Sequence, residues 1–297
     1  MDINYELYKV FYYVASTLSF SEASKQLYIS QSAVSQSVKS LEKKLDQVLF
    51  VRSTKKVSLT PEGEILLRHI EPAVNLIKRG ESQIVEAAST GGQLRIGASD
   101  TICRYFLVPY LERFHKDFPS AHIKVTNATS IHCAELLETG QVDLVVANYP
   151  NAYLGSTASI KKIKRFHDVF IANSSYEELR GKTLSYRELL EHPILMLDKK
   201  STTSEFLHSL FQQHQLDLVP EIELSSNDLL IDLASIGLGI AFIPDYCIPR
   251  SSEDLFTVHT KEPLPARELV IACSRQVPIS RAAEAFMNYF TALPPEE

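Results

Sequence analysis

The stretch SFSEASKQLYISQSAVSQSVKSLEKKL, residues 19–45, gathers side chains suited to gripping a polyanion. Ser32, Gln36, Lys39 and Lys43 recur on one side of a helical repeat, with Ser35 beside them and Ser30 and Gln31 at the start. A Gln amide can read a base edge, while Ser and Lys hold phosphate, so this face has the chemistry of a helix laid in a DNA major groove. Two helices must position it. Ser19 and Glu22 have the spacing of a capping box, and Ala23 and Leu27 give the first helix an apolar face. Ile29 breaks the pattern and Ser30 can cap a second helix, whose Val34, Val38, Leu41 and Leu45 must face a core. Alone, such a helix could equally carry a merely solvated polar face; the surrounding chain decides between the two.

Leu7, Val10, Phe11 and Val14 place another helix before the pair. After it, Val48–Val51 and Val57–Leu59 have the texture of two short strands around the basic tip Arg52-Ser53-Thr54-Lys55-Lys56. Cations at that tip can reach the phosphates flanking the groove. The expected head is therefore a winged helix-turn-helix, mainly α, over residues 1–60. Its DNA contacts would be Ser30, Gln31, Ser32, Ser35, Gln36, Lys39, Lys43, Arg52, Thr54, Lys55 and Lys56. Net charge is −6 for the 297 residues, but residues 1–60 hold eight cations against five anions, +3, which leaves −9 for the remainder. A basic head on an acidic body suits a DNA reader joined to a domain with a different role.

These residues carry a resemblance. Ala23, Leu27, Ser30–Ser35, Val38, Leu41-Glu42, Leu45, Leu49-Phe50, Arg52 and Leu59–Gly63 follow a long motif, and on it the chain resembles the LysR-type transcriptional regulators. Two positions depart from that pattern. Ser24 stands where the family often has alanine, and Asp46 where a glycine usually ends the recognition helix.

Thr60-Pro61-Glu62 starts a further helix: Thr caps, Pro suits the first turn and Glu complements the dipole. Leu66, Ile70, Ala73, Ile77, Gly80, Ile84 and Ala87 then alternate by threes and fours to about Ser89. This reads as a dimer stalk over 61–89 with Leu66, Ile70, Ala73, Ile77 and Ile84 as the pairing residues, and the resemblance implies such a linker helix. Pro72 falls inside it and should kink or interrupt it.

Ser89-Thr90-Gly91-Gly92 reads as a hinge, and strands then alternate with helices, which implies parallel sheets covered on both faces. The strand ends carry Ser99, Thr101, Thr129, Ser130, Asn148, Thr202, Thr203, Ser225 and Ser226, where helices begin. Hydroxyls at helix N-termini make sites for small anions, and ligands in open α/β sheets bind beyond the carboxyl ends of strands. The resemblance implies a type 2 periplasmic-binding-protein-like effector domain over 90–297. Its subdomain I would be 93–162 with 266–297, and subdomain II 163–265. The effector residues would be Ser99, Thr101, Thr129, Ser130, Asn148, Thr202, Thr203, Ser226 and Phe242.

Cys103 and Cys133 fall near this cleft, and some family members sense peroxide through a cysteine pair, but buried thiols fit better here. The four cysteines show no CxxC and the nine histidines no metal-ligand spacing; no phosphate-binding glycine loop or nucleophile elbow occurs. Neither an enzyme, a metal nor a cofactor is indicated. No apolar run spans a bilayer and MDINYELYK has no signal-peptide core, so no membrane association and a cytoplasmic, nucleoid-associated location are expected. The reading is a transcriptional regulator that binds a partly palindromic double-stranded operator as a homodimer or homotetramer. A small-molecule effector gates it, and RNA polymerase is a possible further partner. A solute-binding protein would share the C-terminal architecture but not the basic head.

Overall fold

The computed structural model describes residues 3–52, 56–87, 92–248 and 254–294, in two units that divide between Val85 and Glu86. In the first unit α1 (Tyr5–Thr17), α2 (Phe20–Leu27) and α3 (Gln31–Leu45) pack around Val10, Phe11, Val14, Ala23, Val34, Val38 and Leu41. The apolar positions read from the 3.6-residue period are the ones buried. Ser19 caps α2 by accepting from Glu22 N at 3.2 Å, but the Glu22 carboxylate turns to Lys25 Nζ at 3.3 Å instead of closing a capping box. Asp46 occupies the left-handed C-terminal position of α3 (φ 52°), with its N–H donating to Glu42 O. An Asp tolerates this conformation better than most residues, so α3 ends where a glycine would have ended it.

β1 (Phe50–Arg52) pairs antiparallel with β2 (Val57–Leu59). Thr60 then ties α4 (Pro61–Ala87) to the head: its hydroxyl donates to Val48 O at 2.7 Å and accepts from Gly63 N at 3.0 Å. A Cβ at Gly63 would stand 2.2 Å from Leu49 O, so only glycine allows this approach. Pro72 does not interrupt α4. Proline withholds one N–H from the ladder, and the bonds on either side are enough to carry the helix through. The expected seam divides along the helix. Leu66 and Ile70 are half-buried on the head's own core, whereas Ala73, Ile77 and Ile84 are exposed, the last two by 56% and 75%.

The second unit holds two sheets. The strands are β3 (Gln93–Ala98), β4 (His122–Asn127), β5 (Leu144–Tyr149), β6 (Ala158–Phe166), β7 (Asp168–Ala172), β8 (Thr183–Leu184), β9 (Ile194–Leu197), β10 (Ile222–Leu224), β11 (Ile240–Pro244), β12 (Phe256–Thr260) and β13 (Arg267–Ser274). The first lobe's sheet has the order β4-β3-β5-β13-β6 and the second lobe's β10-β9-β11-β7-β12-β8. Helices α5 (Asp100–Ile102), α6 (Val108–Asp117), α7 (Ser130–Glu138), α8 (Tyr186–Leu189), α9 (Thr202–Gln213), α10 (Asn227–Ser235) and α11 (Arg281–Met287) follow strands; a π-helical segment, Cys103–Leu107, joins α5 to α6. Both sheets are mixed rather than parallel. β13 runs antiparallel to β5 and β6, and β7 antiparallel to β11 and β12, because these strands enter or leave a lobe without a crossover helix. The passages between lobes fall at His167, after Phe166 rather than at Ile163, and between Thr260 and Arg267. Leu144 and Val146 of β5 enter one core cluster, Val145 and Ala147 another, so the strand is apolar on both faces.

Candidate functional site

Two surfaces concern function. On α3 the apolar residues turn inward and leave Gln31, Ser32, Gln36, Lys39 and Lys43 exposed, with Ser35 half-buried beside them. Ser30 serves the helix itself, since its hydroxyl accepts from Ala33 N at 3.2 Å and lies 2.9 Å from that of Ser32. Arg52, expected as a wing cation, is engaged inside the head. Its guanidinium sits 3.6 Å from Glu42 Oε2 and 4.4 Å over the Phe20 ring. The other Glu42 oxygen accepts from Leu49 N and Phe50 N at 2.9 and 3.3 Å, so this pair braces the entry to β1. Lys56 is exposed; Thr54 and Lys55 lie outside the described residues.

The second surface is a cavity of about 90 Å³ between the lobes of the second unit. Ser99, Thr101, Thr129, Ser130, Asn148, Thr202, Thr203 and Ser226 all line it, although they are scattered over the sequence. Phe242 does not. It is fully buried in the second lobe and packs on Phe170 at 4.8 Å, because β11 is apolar on both faces and its middle residue cannot reach the strand end. Asp100, Asp198, Ser201, Asn227 and Tyr246 also line it, beyond the residues expected, together with Leu197, Ser225 and Pro244.

Helical runs start on this cavity from Ser99, Thr129, Ser201 and Ser226, each accepting a hydrogen bond from its own first turn at 3.0–3.3 Å. Their dipoles place positive potential toward the cavity. Four further hydroxyls also accept from the protein. Ser130 accepts from Asn148 N at 3.2 Å, Thr101 from Asn227 Nδ2 at 3.0 Å, and Thr203 from Arg267 Nη1 at 3.1 Å. Thr202 accepts twice, from Arg267 Nη2 at 3.3 Å and Asn148 Nδ2 at 3.5 Å. A hydroxyl has one hydrogen and two lone pairs. Thr202 has both lone pairs taken by protein donors and the others one each, so each of these hydroxyls keeps its hydrogen to donate to whatever enters.

Arg267 had no signal in the sequence. It lies at the start of β13, 1% exposed, with Nη1 2.8 Å from Asp168 Oδ2 and its plane over Phe206 and Phe166 at 4.9 and 5.5 Å. Burial pushes the Asp168 carboxyl above the ordinary carboxylate range, against the pull of this guanidinium. The lobes are also bridged at the cavity's edge. Asp228 of α10 accepts from Tyr105 OH at 2.5 Å and lies 3.5 Å from Arg104 Nη1, both on the π-helical segment; Tyr153 donates to Glu205 at 3.2 Å. The thiols near the site are not activated. Burial pushes Cys103 up to about 11 and Cys133 up to about 12, and each Sγ–H points to a backbone carbonyl five residues back. A peroxide sensor needs a thiolate, which this environment suppresses.

Comparison with known proteins matches both units. Residues 5–64 match the bacterial regulatory helix-turn-helix protein, lysR family, and residues 87–294 match the LysR substrate binding domain. The chain is 28% identical over 246 residues to a probable RuBisCO transcriptional regulator of Phaeodactylum tricornutum, covering 81% of this chain and 80% of that protein. Its fold is similar to full-length CbnR in complex with target DNA, at TM-score 0.66 and 18% identity over 97% of this chain and 99% of that one. It is also similar to the regulatory domain of Synechocystis PCC6803 CcmR in complex with 2-PG, at TM-score 0.60 and 21% identity over 67% of this chain and 95% of that one. Among the described residues no helix is long and apolar enough to cross a membrane, and no cluster of side chains is arranged to hold a metal ion. A helix-turn-helix match at the N-terminus and a substrate-domain match over most of the rest show that the chain belongs to the LysR family of DNA-binding transcriptional regulators.

Proposed function

We propose that residues 1–60 read a partly palindromic operator, that 61–89 pair two copies, and that the cleft of 90–297 takes a small anion that resets the regulator's affinity or geometry on DNA. The observation that carries the effector half is the cavity of hydroxyls already accepting from the protein at helix N-termini. An acceptor-rich anion finds donors there without a cation on the cavity surface. The CcmR regulatory domain, of similar fold, is in complex with 2-PG, which supports a small-molecule ligand for this domain. On α3, Gln36 would read a base edge while Ser32, Lys39 and Lys43 hold phosphate. The exposed Ala73, Ile77 and Ile84 of α4 supply an apolar seam for a second copy, giving a homodimer or, through further contacts, a homotetramer.

The effector acts by preferring one lobe arrangement, and it shifts the population only by that difference in affinity. The ligand is bound, not turned over, and the protein works in the cytoplasm on nucleoid DNA, where RNA polymerase is the partner it helps or hinders. Thermal unfolding of the full chain with a panel of organic and inorganic anions tests the effector half. At about a hundred times its dissociation constant a ligand adds about 2.7 kcal/mol of stability, a readily measured rise in Tm. Thr202→Val should remove that rise while DNA binding persists. An unchanged response would take Thr202 out of the site, and no response to any anion would refute the anion-binding cleft.

A further inference from the structure

We infer that the effector is a hydroxy acid: a short-chain acid whose carbon frame also carries at least one hydroxyl. This rests on the anion-binding reading above and adds the other half of the ligand. The lining does not balance as a site for a bare anion. Besides its donor hydroxyls it contains two amide oxygens, Asn148 Oδ1 and Asn227 Oδ1, that are buried and have no partner among the described residues. Both residues are deeply buried, at 9% and 4% exposure. Each amide is held by its other end. Asn148 Nδ2 donates to Thr202 and Asn227 Nδ2 to Thr101, which leaves the oxygen as the unmet atom.

A buried acceptor without a donor is unfavourable, and a carboxylate, which only accepts, cannot relieve it. A ligand hydroxyl can, by donating to an amide oxygen while it accepts from a neighbouring donor such as the buried Tyr246 OH, which also lacks a partner among the described residues. Asn148 stands on β5 of the first lobe and Asn227 at the start of α10 in the second, so one hydroxylated ligand can engage both lobes. An ammonium fits less well. The buried acceptors are neutral amide oxygens, which leave a desolvated ammonium without a counter-charge, and the lining carboxylates stand nearer the solvent, Asp100 exposed and Asp198 half-buried. At about 90 Å³ the cavity holds several waters' worth of ligand, which selects a short chain.

Calorimetric titration of the full-length protein with matched pairs tests this: acetate and glycolate, propionate and lactate, succinate and malate, with glycine as the amino counterpart. In at least one pair the hydroxy acid should bind about tenfold tighter or more, because a site with a buried acceptor discriminates against the analogue that lacks the donor. In Asn148→Leu and Asn227→Leu, each checked for native circular dichroism, the ratio of hydroxy-acid to plain-acid affinity should fall toward one, and a ratio that stays at the parent's value would overturn the assignment of the hydroxyl to these oxygens. Equal affinities throughout the pairs would overturn the hydroxyl assignment and leave the anion-binding cleft standing. Tighter binding of glycine than of glycolate would also overturn it, in favour of an ammonium. Failure of every acid to bind would overturn the inference, and only failure of the wider panel of organic and inorganic anions as well would refute the anion-binding cleft itself.

Discussion

Gly63 shows how a single residue ties the helix-turn-helix to the long helix behind it. A methyl group there would meet the Leu49 carbonyl at 2.2 Å, a backbone atom that cannot step aside without moving β1. Gly63→Ala should therefore cost about 1–3 kcal/mol, seen as an earlier urea transition of the head, and a neutral effect would mean that the strand relaxes freely. On the exposed face of α3, Gln36→Ala should relax preference at one base pair by about 1–3 kcal/mol while leaving non-specific binding intact, as selection from a randomised operator would report. Unchanged selectivity would remove Gln36 from the reading face. Residues with a local signature were legible from the chain. Ser99, Thr129 and Ser226 announce themselves as caps after strands, and α3 by its period. Arg267 was not, because nothing near it in sequence marks it; folding alone brings it to Thr202 and Thr203. Phe242 was misplaced for the complementary reason, since a strand buried on both faces gives no alternation from which to tell the cavity side from the core.

At the scale of elements, β6 and β7 on the outward passage between lobes were missed, whereas the return near residue 266 was legible. β6 carries Lys161, Lys162, Lys164 and Arg165 on the rim of the first sheet, so its charges mask the strand signal. β7 and β13 are read correctly only once their antiparallel pairing is seen. Those crossings matter because they meet at the Arg267–Asp168 pair, one residue at the start of each strand, both essentially without solvent contact. Asp168→Asn would leave a buried guanidinium among an amide and two hydroxyls with no counter-charge, and should destabilise the second unit by about 3–5 kcal/mol in denaturant titration. A loss below about 1 kcal/mol would mean that water enters and that the pair is no anchor for the crossing. The continuity of α4 through Pro72 was beyond the sequence for a different reason: propensity weighs against proline, but one missing bond is small against the packing of Leu66, Leu67 and Ile70 on the head.

Over the whole molecule, the charge division is the feature that joins the two functions. A head at +3 is drawn to phosphate and a remainder at −9 is repelled from it, so DNA should meet the protein by its N-terminal domain. The lobes, meanwhile, are bridged by bonds such as Tyr105 to Asp228 and Asn227 to Thr101 beside the cavity, so a ligand that enters there bears directly on how the lobes are set. On the proposed account, one chain reads a specific DNA site and changes that reading when its cleft is occupied. Footprinting on the DNA upstream of the protein's own gene, at low salt and with or without the tightest-binding hydroxy acid, tests this most directly. The expected result is a protected, partly palindromic site whose extent or affinity shifts with the acid, and whose protection weakens steeply as salt rises. Protection that is absent at low salt, or that is indifferent to the bound acid, would contradict it.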